Sequence, residues 1–356
     1  MVAYCHHYAL GTNMYKKMTA FSAGWIYAFI HFSVEVASFY FLFSRITTTA
    51  FWWIWAMLFD ALAFLPQSFF GVLLDKYPAL PYGAFGAGAI LIALCLPFDI
   101  LALVLLALGN ALVHADGAQR TLRNHQAKIT PNAVFVGGGS FGVITGQLLG
   151  ILQSQTWIVV PIILTLISAG LAVWISLRLE TEIKEESLPL SVCKDMPEFL
   201  LVALVLFAVA VRSYIAYAIP IEWKKTTMQA VALFVFMGVG KMLGGVMADY
   251  IGFRKTTYLS LLLALPFLLF GNTIMLLSLV GVMLFSTTMP ITVGILVSKY
   301  PKNPGFAFGI TTVGLFLGVV PAFFIALPTL LAHQIVVLVL SVTALVALLS
   351  TLKKGV

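Results

Sequence analysis

The chain has 356 residues, of which 61% are hydrophobic and only 9% charged, and its mean hydropathy is +1.04. So few polar side chains cannot coat a water-facing globule of this size, which excludes a soluble, secreted or disordered protein. The net charge of +7 is no nucleic-acid signature, because the basic residues fall between hydrophobic runs, where they report membrane topology.

A hydrocarbon core about 30 Å thick takes about 20 helical residues to cross. Apolar runs between breakers predict transmembrane helices near 19–44, 50–74, 81–97, 99–121, 133–153, 157–178, 197–221, 227–248, 256–271, 273–298, 305–328 and 334–352. The expected fold class is therefore all-α integral membrane, with twelve spans. If the N-terminus is cytoplasmic, Lys16, Lys17, Lys76, Arg120, Arg123, Lys128, Arg178, Lys184, Lys194, Arg254, Lys255, Lys299, Lys302, Lys353 and Lys354 all lie at or near the inner face, and only Arg45, Lys224 and Lys225 lie outside. Both termini are accordingly expected in the cytoplasm, in a multi-pass protein of the plasma membrane.

In chain order, the first span carries His31 and Glu35, four residues apart and so on one helix face. Asp60 lies near the middle of the second span. The fourth holds Asn110 and His114 on one face and Asp116 and Arg120 on another, and the fifth holds the stripe Gly138, Gly142, Gly146 and Gly150, which suits close helix packing in lipid. The one long polar stretch divides the chain into an N-terminal bundle, 1–179, a solvated linker, 180–196, and a C-terminal bundle, 197–356. Beyond it come Arg212, Tyr214 and Tyr217 in the seventh span, and Lys241 in the eighth, expected to snorkel to the inner face. In the tenth, Ser286, Thr287 and Thr288 stand beside the kink-prone Pro290. An ionisable group at the bilayer centre costs about 2.5–3.5 kcal/mol on insertion scales, so these residues should face a partner or a cavity.

Cys5, Cys95 and Cys193 make no C-x-x-C pair, and His6 and His7 beside Cys5 read as a tail; no metal and no cofactor is expected. A Walker sequence is absent.

The halves repeat. Gly71-Val-Leu-Leu-Asp75-Lys76 after the second span recurs as Gly245-Val-Met-Ala-Asp249 after the eighth, continuing to Gly252, Arg254 and Lys255. These paired loops resemble the motif of the major facilitator superfamily. The resemblance implies two six-helix halves rocking around a midplane site, with the first, fourth, seventh and tenth spans lining it. It also implies a structural latch formed by Gly71, Asp75, Gly245, Asp249 and Arg254, with Arg120 or Arg123 as the expected partner of Asp75. Within the superfamily, His31-Phe-Ser-Val-Glu35 and Gly109-Asn-Ala-Leu-Val-His114-Ala-Asp116-Gly-Ala-Gln-Arg120 are similar to stretches of the fosmidomycin-resistance group of exporters, which implies efflux by antiport. The first copy of the loop motif lacks the later glycine and basic pair, and the fifth span lacks the Gly-Pro of drug/proton antiporters.

The functional expectation is a secondary active transporter, monomeric and without nucleic-acid partners, moving a small anionic, zwitterionic or drug-like solute with protons. Glu35 is its expected proton-coupling acid, with His31 adjusting it and Asp60 nearby. Arg212 is expected to bind an anionic part of the solute, with His114, Asn110, Tyr214, Tyr217, Ser286 and Thr287 beside it. The alternatives are a membrane-embedded enzyme, for which Asp60 and Asp116 are the one acidic pair to consider, and a non-transporting receptor.

Overall fold

A computed structural model describes residues 20–123, 127–152, 155–178, 188–193, 195–325 and 327–353. The tail histidines, His125, Lys184 and the Glu180–Glu186 part of the expected linker lie outside these residues. Among the described residues all regular structure is helical apart from a single isolated bridge.

Eleven helical stretches are long and apolar enough to cross a membrane: Ser22–Ile46, Trp52–Lys76, Asp99–Arg123, Thr130–Ile151, Thr156–Ser176, Glu198–Ala218, Thr227–Ile251, Phe253–Phe270, Met275–Lys299, Pro304–Phe324 and Leu330–Thr351. Tyr82–Cys95, at 14 residues, is shorter and completes twelve spans. Each matches one expected span within a few residues, and the protein is a multi-pass integral membrane protein.

Two spans are broken. The second changes from Trp52–Phe64 to Pro66–Lys76 at Leu65, where Pro66 supplies no N–H to continue the ladder. The tenth breaks at Thr287, between Met275–Ser286 and Thr288–Lys299, three residues before Pro290. The first ends in a single π-turn, Leu42–Ile46.

The helices are apolar nearly all round, so packing rather than amphipathicity decides which face turns inward. Within the first six spans, span 1 packs on spans 4, 5 and 6, span 3 on 4 and 6, and span 2 on 4; the same pairs recur six spans later, as 7 on 10, 11 and 12, 9 on 10 and 12, and 8 on 10. The two groups meet along spans 5 and 8 and along spans 2 and 11, with further contact of span 11 on span 4 and of span 10 on span 5.

The glycine stripe explains the tightest of these pairings. Gly138, Gly142, Gly146 and Gly150 lie against the backbone of Ala28, Phe32, Val36 and Tyr40, so a four-residue repeat on span 5 meets a four-residue repeat on span 1. A Cβ at any of them would collide with span 1. The stripe therefore seals spans 1 and 5 together.

Residues 188–193 are also not free in solvent. Leu188 is buried, Leu190 and Val192 pack against the core, and Val192 bridges Leu352, with Cys193 N–H donating to the Thr351 carbonyl at 2.9 Å. Residues 188–193 thus dock on the end of span 12.

Candidate functional site

Near the middle of span 1, a helical repeat of four places Tyr27, His31 and Glu35 on one face, turned to span 4. His31 Nδ1 lies 2.9 Å from the Phe135 carbonyl and its Nε2 lies 3.5 Å from Glu35 Oε1. From span 4, His114 Nδ1 lies 2.9 Å from the Asn110 carbonyl and its Nε2 3.2 Å from the same Oε1. Asn110 Nδ2 donates to that oxygen at 3.3 Å and to Ser38 Oγ at 3.0 Å. The two imidazoles meet edge to face, 4.2 Å between centroids, and the trio is buried.

This geometry fixes a proton count. A carbonyl can only accept, so each Nδ1 carries a hydrogen, and each Nε2 is then either a lone pair or a second N–H. With lone pairs on both Nε2 atoms and a carboxylate between them, three electron-rich atoms would crowd one point with the Asn110 amide, 3.3 Å from Glu35, as their one donor. At least one further proton must sit in the trio, on Glu35 or on an imidazole. The room for it comes from Gly139 in span 5, whose missing side chain is filled by the His31 ring; a Cβ there would overlap the imidazole. The three donor atoms also lie within 4.8 Å of one another, a spacing that would admit a metal ion, but a shared proton accounts for these contacts by itself.

Asp60, Tyr217 and Lys241 lie within electrostatic range of Glu35, and Arg212 within that of Lys241. Asp60 makes no hydrogen bond or ion pair among the described residues. Tyr217 is 60% exposed and lies within electrostatic range of both acids. Arg212 has no hydrogen-bond partner among the described residues, and its Nη1 is out of contact with solvent. Lys241 departs from expectation. Its Nζ does not snorkel to the inner face but donates to Ser140 Oγ of span 5, at 2.9 Å, across the boundary between the halves.

Other expected substrate residues lie elsewhere. Tyr214 belongs to the hydrophobic core. Thr287 turns to span 9, donating to the Leu284 carbonyl at 2.6 Å and sharing a short bond with Ser260. Ser286 is buried, and the Thr288 hydroxyl bonds the Phe285 carbonyl of its own span.

The basic end of the bundle is clamped shut by two crossed clasps. Asp75 accepts the N–H groups of Gly305 and Phe306, at 3.0 and 2.9 Å, at the start of span 11. Asp249 accepts those of Ile129 and Thr130, both at 2.9 Å, and the Thr130 hydroxyl at 2.5 Å, at the start of span 5. Each carboxylate meets the unsatisfied amides and positive dipole end of a helix in the opposite half. Gly71 and Gly245 allow the approach, packing on Gly305 and on Thr130 and Ala133.

Arg120 is not the partner of Asp75. It is paired with Asp116, Nε to Oδ1 at 2.9 Å, in a buried network that Tyr27 completes by donating to Oδ2 at 2.6 Å. Arg123 stays within electrostatic range of Asp75 without a hydrogen bond to it. Arg254 braces its own half, donating to the carbonyls of Leu349 and Leu352 at the end of span 12. Asp60 and Asp116 do not form an acidic pair, since Asp116 is fully engaged.

The bond of Tyr27 to Asp116 and the parts played by Gly139, Ser140 and Thr130 escaped the sequence reading. A signal existed for the first: Tyr27 continues the four-residue spacing of His31 and Glu35.

No family model matches the sequence, and no curated protein matches it. Solved structures do. The chain is similar to a Major Facilitator Superfamily transporter, FucP, in the outward conformation, at 13% identity and a TM-score of 0.65, covering 91% of this chain and 97% of that one. It is similar to the Escherichia coli fucose:proton symporter FucP in a second structure, at 13% identity and a TM-score of 0.60, covering 93% and 98%. It is also similar to the human organic anion transporter MFSD10, at 13% identity and a TM-score of 0.65, covering 92% and 99%. The fold is that of the major facilitator transporters.

Proposed function

We propose that this protein is a secondary active transporter that moves a small organic anion by alternating access and couples that movement to protons through Glu35. The observation that carries this reading is the Glu35 oxygen shared between two imidazoles whose other nitrogens are committed to backbone carbonyls. Such a trio holds a proton between the spans that frame the interior, and its charge state feels Asp60, Tyr217 and Lys241. An anion drawn to Arg212 and Lys241 changes the field at Glu35, so solute and proton are coupled in one site.

In this reading the first and last six spans are two rocking bundles, and the clasps at Asp75 and Asp249 hold the basic, cytoplasmic end closed. The neighbours of the same fold include a proton symporter and an organic anion transporter, which supports the class of activity, and gives export no preference over import.

The test is counterflow. Purified protein in proteoliposomes preloaded with unlabelled organic acids should accumulate the labelled acid transiently without any ion gradient. Binding without exchange across a broad panel of acids, sugars and amino acids would leave a receptor instead of a transporter.

A further inference from the structure

We propose that the solute bound by this transporter carries two negative charges, one taken by Arg212 and one by Lys241. The proposal rests on the transport reading above and extends it to a substrate class.

Hydrogen-bond supply and demand in the interior are unequal. A guanidinium offers five N–H donors and an ammonium three, all cationic. Against these eight, the described residues supply one acceptor, the neutral hydroxyl of Ser140. No carboxylate pairs with either cation among the described residues: Glu35 is occupied by His31, His114 and Asn110, Asp116 by Arg120 and Tyr27, and Asp60, within electrostatic range of Glu35 and Tyr217, makes no ion pair with Arg212 or Lys241. Arg212 and Lys241 lie within electrostatic range of each other, and although the charge of Glu35 also reaches Lys241, no carboxylate contacts either cation, which leaves their donors open to an anionic ligand.

A monocarboxylate brings one charge and two oxygens and leaves the other cation uncompensated. A dicarboxylate, or a phosphate ester with a charge near −2 and three terminal oxygens, satisfies both. Arg212 is suited to a planar or tetrahedral oxyanion by its fork, and Lys241 to a point contact with the second charge.

The position of Lys241 also ties occupancy to movement. Its bond to Ser140 crosses between the halves, eight residues along span 8 from the Asp249 clasp, and Ser140 adjoins Gly139, which holds the His31 ring. A second negative charge on the solute competes with Ser140 for Lys241. A single charge engages Arg212 and leaves that cross-half bond in place.

The experiment measures binding to the full-length purified protein by thermal shift and calorimetry at constant ionic strength, with succinate and glycerol 3-phosphate as dianions and with propionate and lactate as monoanions. The expected result is at least one dianion binding about tenfold or more tightly than the monoanions. Lys241→Gln should collapse that ratio, Lys241→Arg should retain most of it, and comparison of the succinate and phosphate arms tells dicarboxylate from phosphate ester. Equal affinity for monoanions and dianions, or a preference unchanged in Lys241→Gln, overturns the proposal. Counterflow of the same compounds separates the two levels: dianion binding without exchange sinks the transport reading and keeps the site, whereas exchange confined to neutral or singly charged solutes keeps transport and sinks the site.

Discussion

The acids at the centre of spans 1 and 4 and the cations at the centre of spans 7 and 8 are treated in opposite ways. On the first side each charged group in the interior of spans 1 and 4 is engaged: Glu35 with two imidazoles and an amide, Asp116 with Arg120 and Tyr27. On the second side Lys241 has the one hydroxyl of Ser140, and Arg212 has no hydrogen-bond partner among the described residues. A satisfied network is rigid and keeps its geometry whether or not solute is present, whereas unsatisfied cations are a standing demand for a ligand. The difference separates two tasks that one transporter must combine, holding a proton in a defined place and admitting a cargo.

The comparison breaks most completely if the filled side is forced open. Gly139→Val places a branched side chain where the His31 imidazole lies, so proton-driven transport should fall to background and the melting temperature should drop, by an overpacking cost of about 1–3 kcal/mol. Gly88→Val, at a glycine with open space around it, should leave both measurements unchanged. A Gly139→Val protein that still drives transport would show that His31 has no part in coupling.

A smaller effect is expected from the open side. Arg212→Ala should weaken binding of anionic solutes by about tenfold or more without lowering thermal stability, because no partner within the described residues loses a bond. A destabilised Arg212→Ala protein with an unchanged solute profile would make the guanidinium structural instead.

The smallest expected difference distinguishes the two clasps. Asp249 accepts three bonds and Asp75 two, and a hydrogen bond to a charged group contributes about 1.5–3 kcal/mol. Asp249→Ala should therefore lower the melting temperature more than Asp75→Ala, and Thr130→Val should bring the two clasps closer to parity. Equal shifts in all three variants would remove the asymmetry.

The twelve spans were legible because a run of about twenty apolar residues has few other physical solutions. The recurring Gly-x-x-x-Asp loops were legible too, since Asp75 and Asp249 stand out in otherwise apolar surroundings. Side-chain direction was harder. Lys241 was expected at the inner face because a long cationic chain can reach it, yet its spacing from Gly245 and Asp249, four and eight residues, already placed all three on one face, and Asp249 faces span 5. Arg120 was taken as a partner for Asp75 on sequence proximity to the inner loops, but a closer acid one turn back on its own helix, Asp116, captures it. Helices that are apolar all round carry no stripe to say which side faces the neighbour. The roles of Thr287 and Tyr214 turned on that missing information, and the His31–His114 contact, between different spans, could not be read from spacing at all.

The most direct test of the account is proton movement evoked by solute. Proteoliposomes carrying an internal pH dye are challenged with the organic acid that gives the strongest counterflow, comparing wild type with Glu35→Gln. The account predicts a solute-dependent pH change in wild type, its loss in Glu35→Gln, and labelled exchange retained in the variant. Proton movement in Glu35→Gln equal to that of wild type would contradict it.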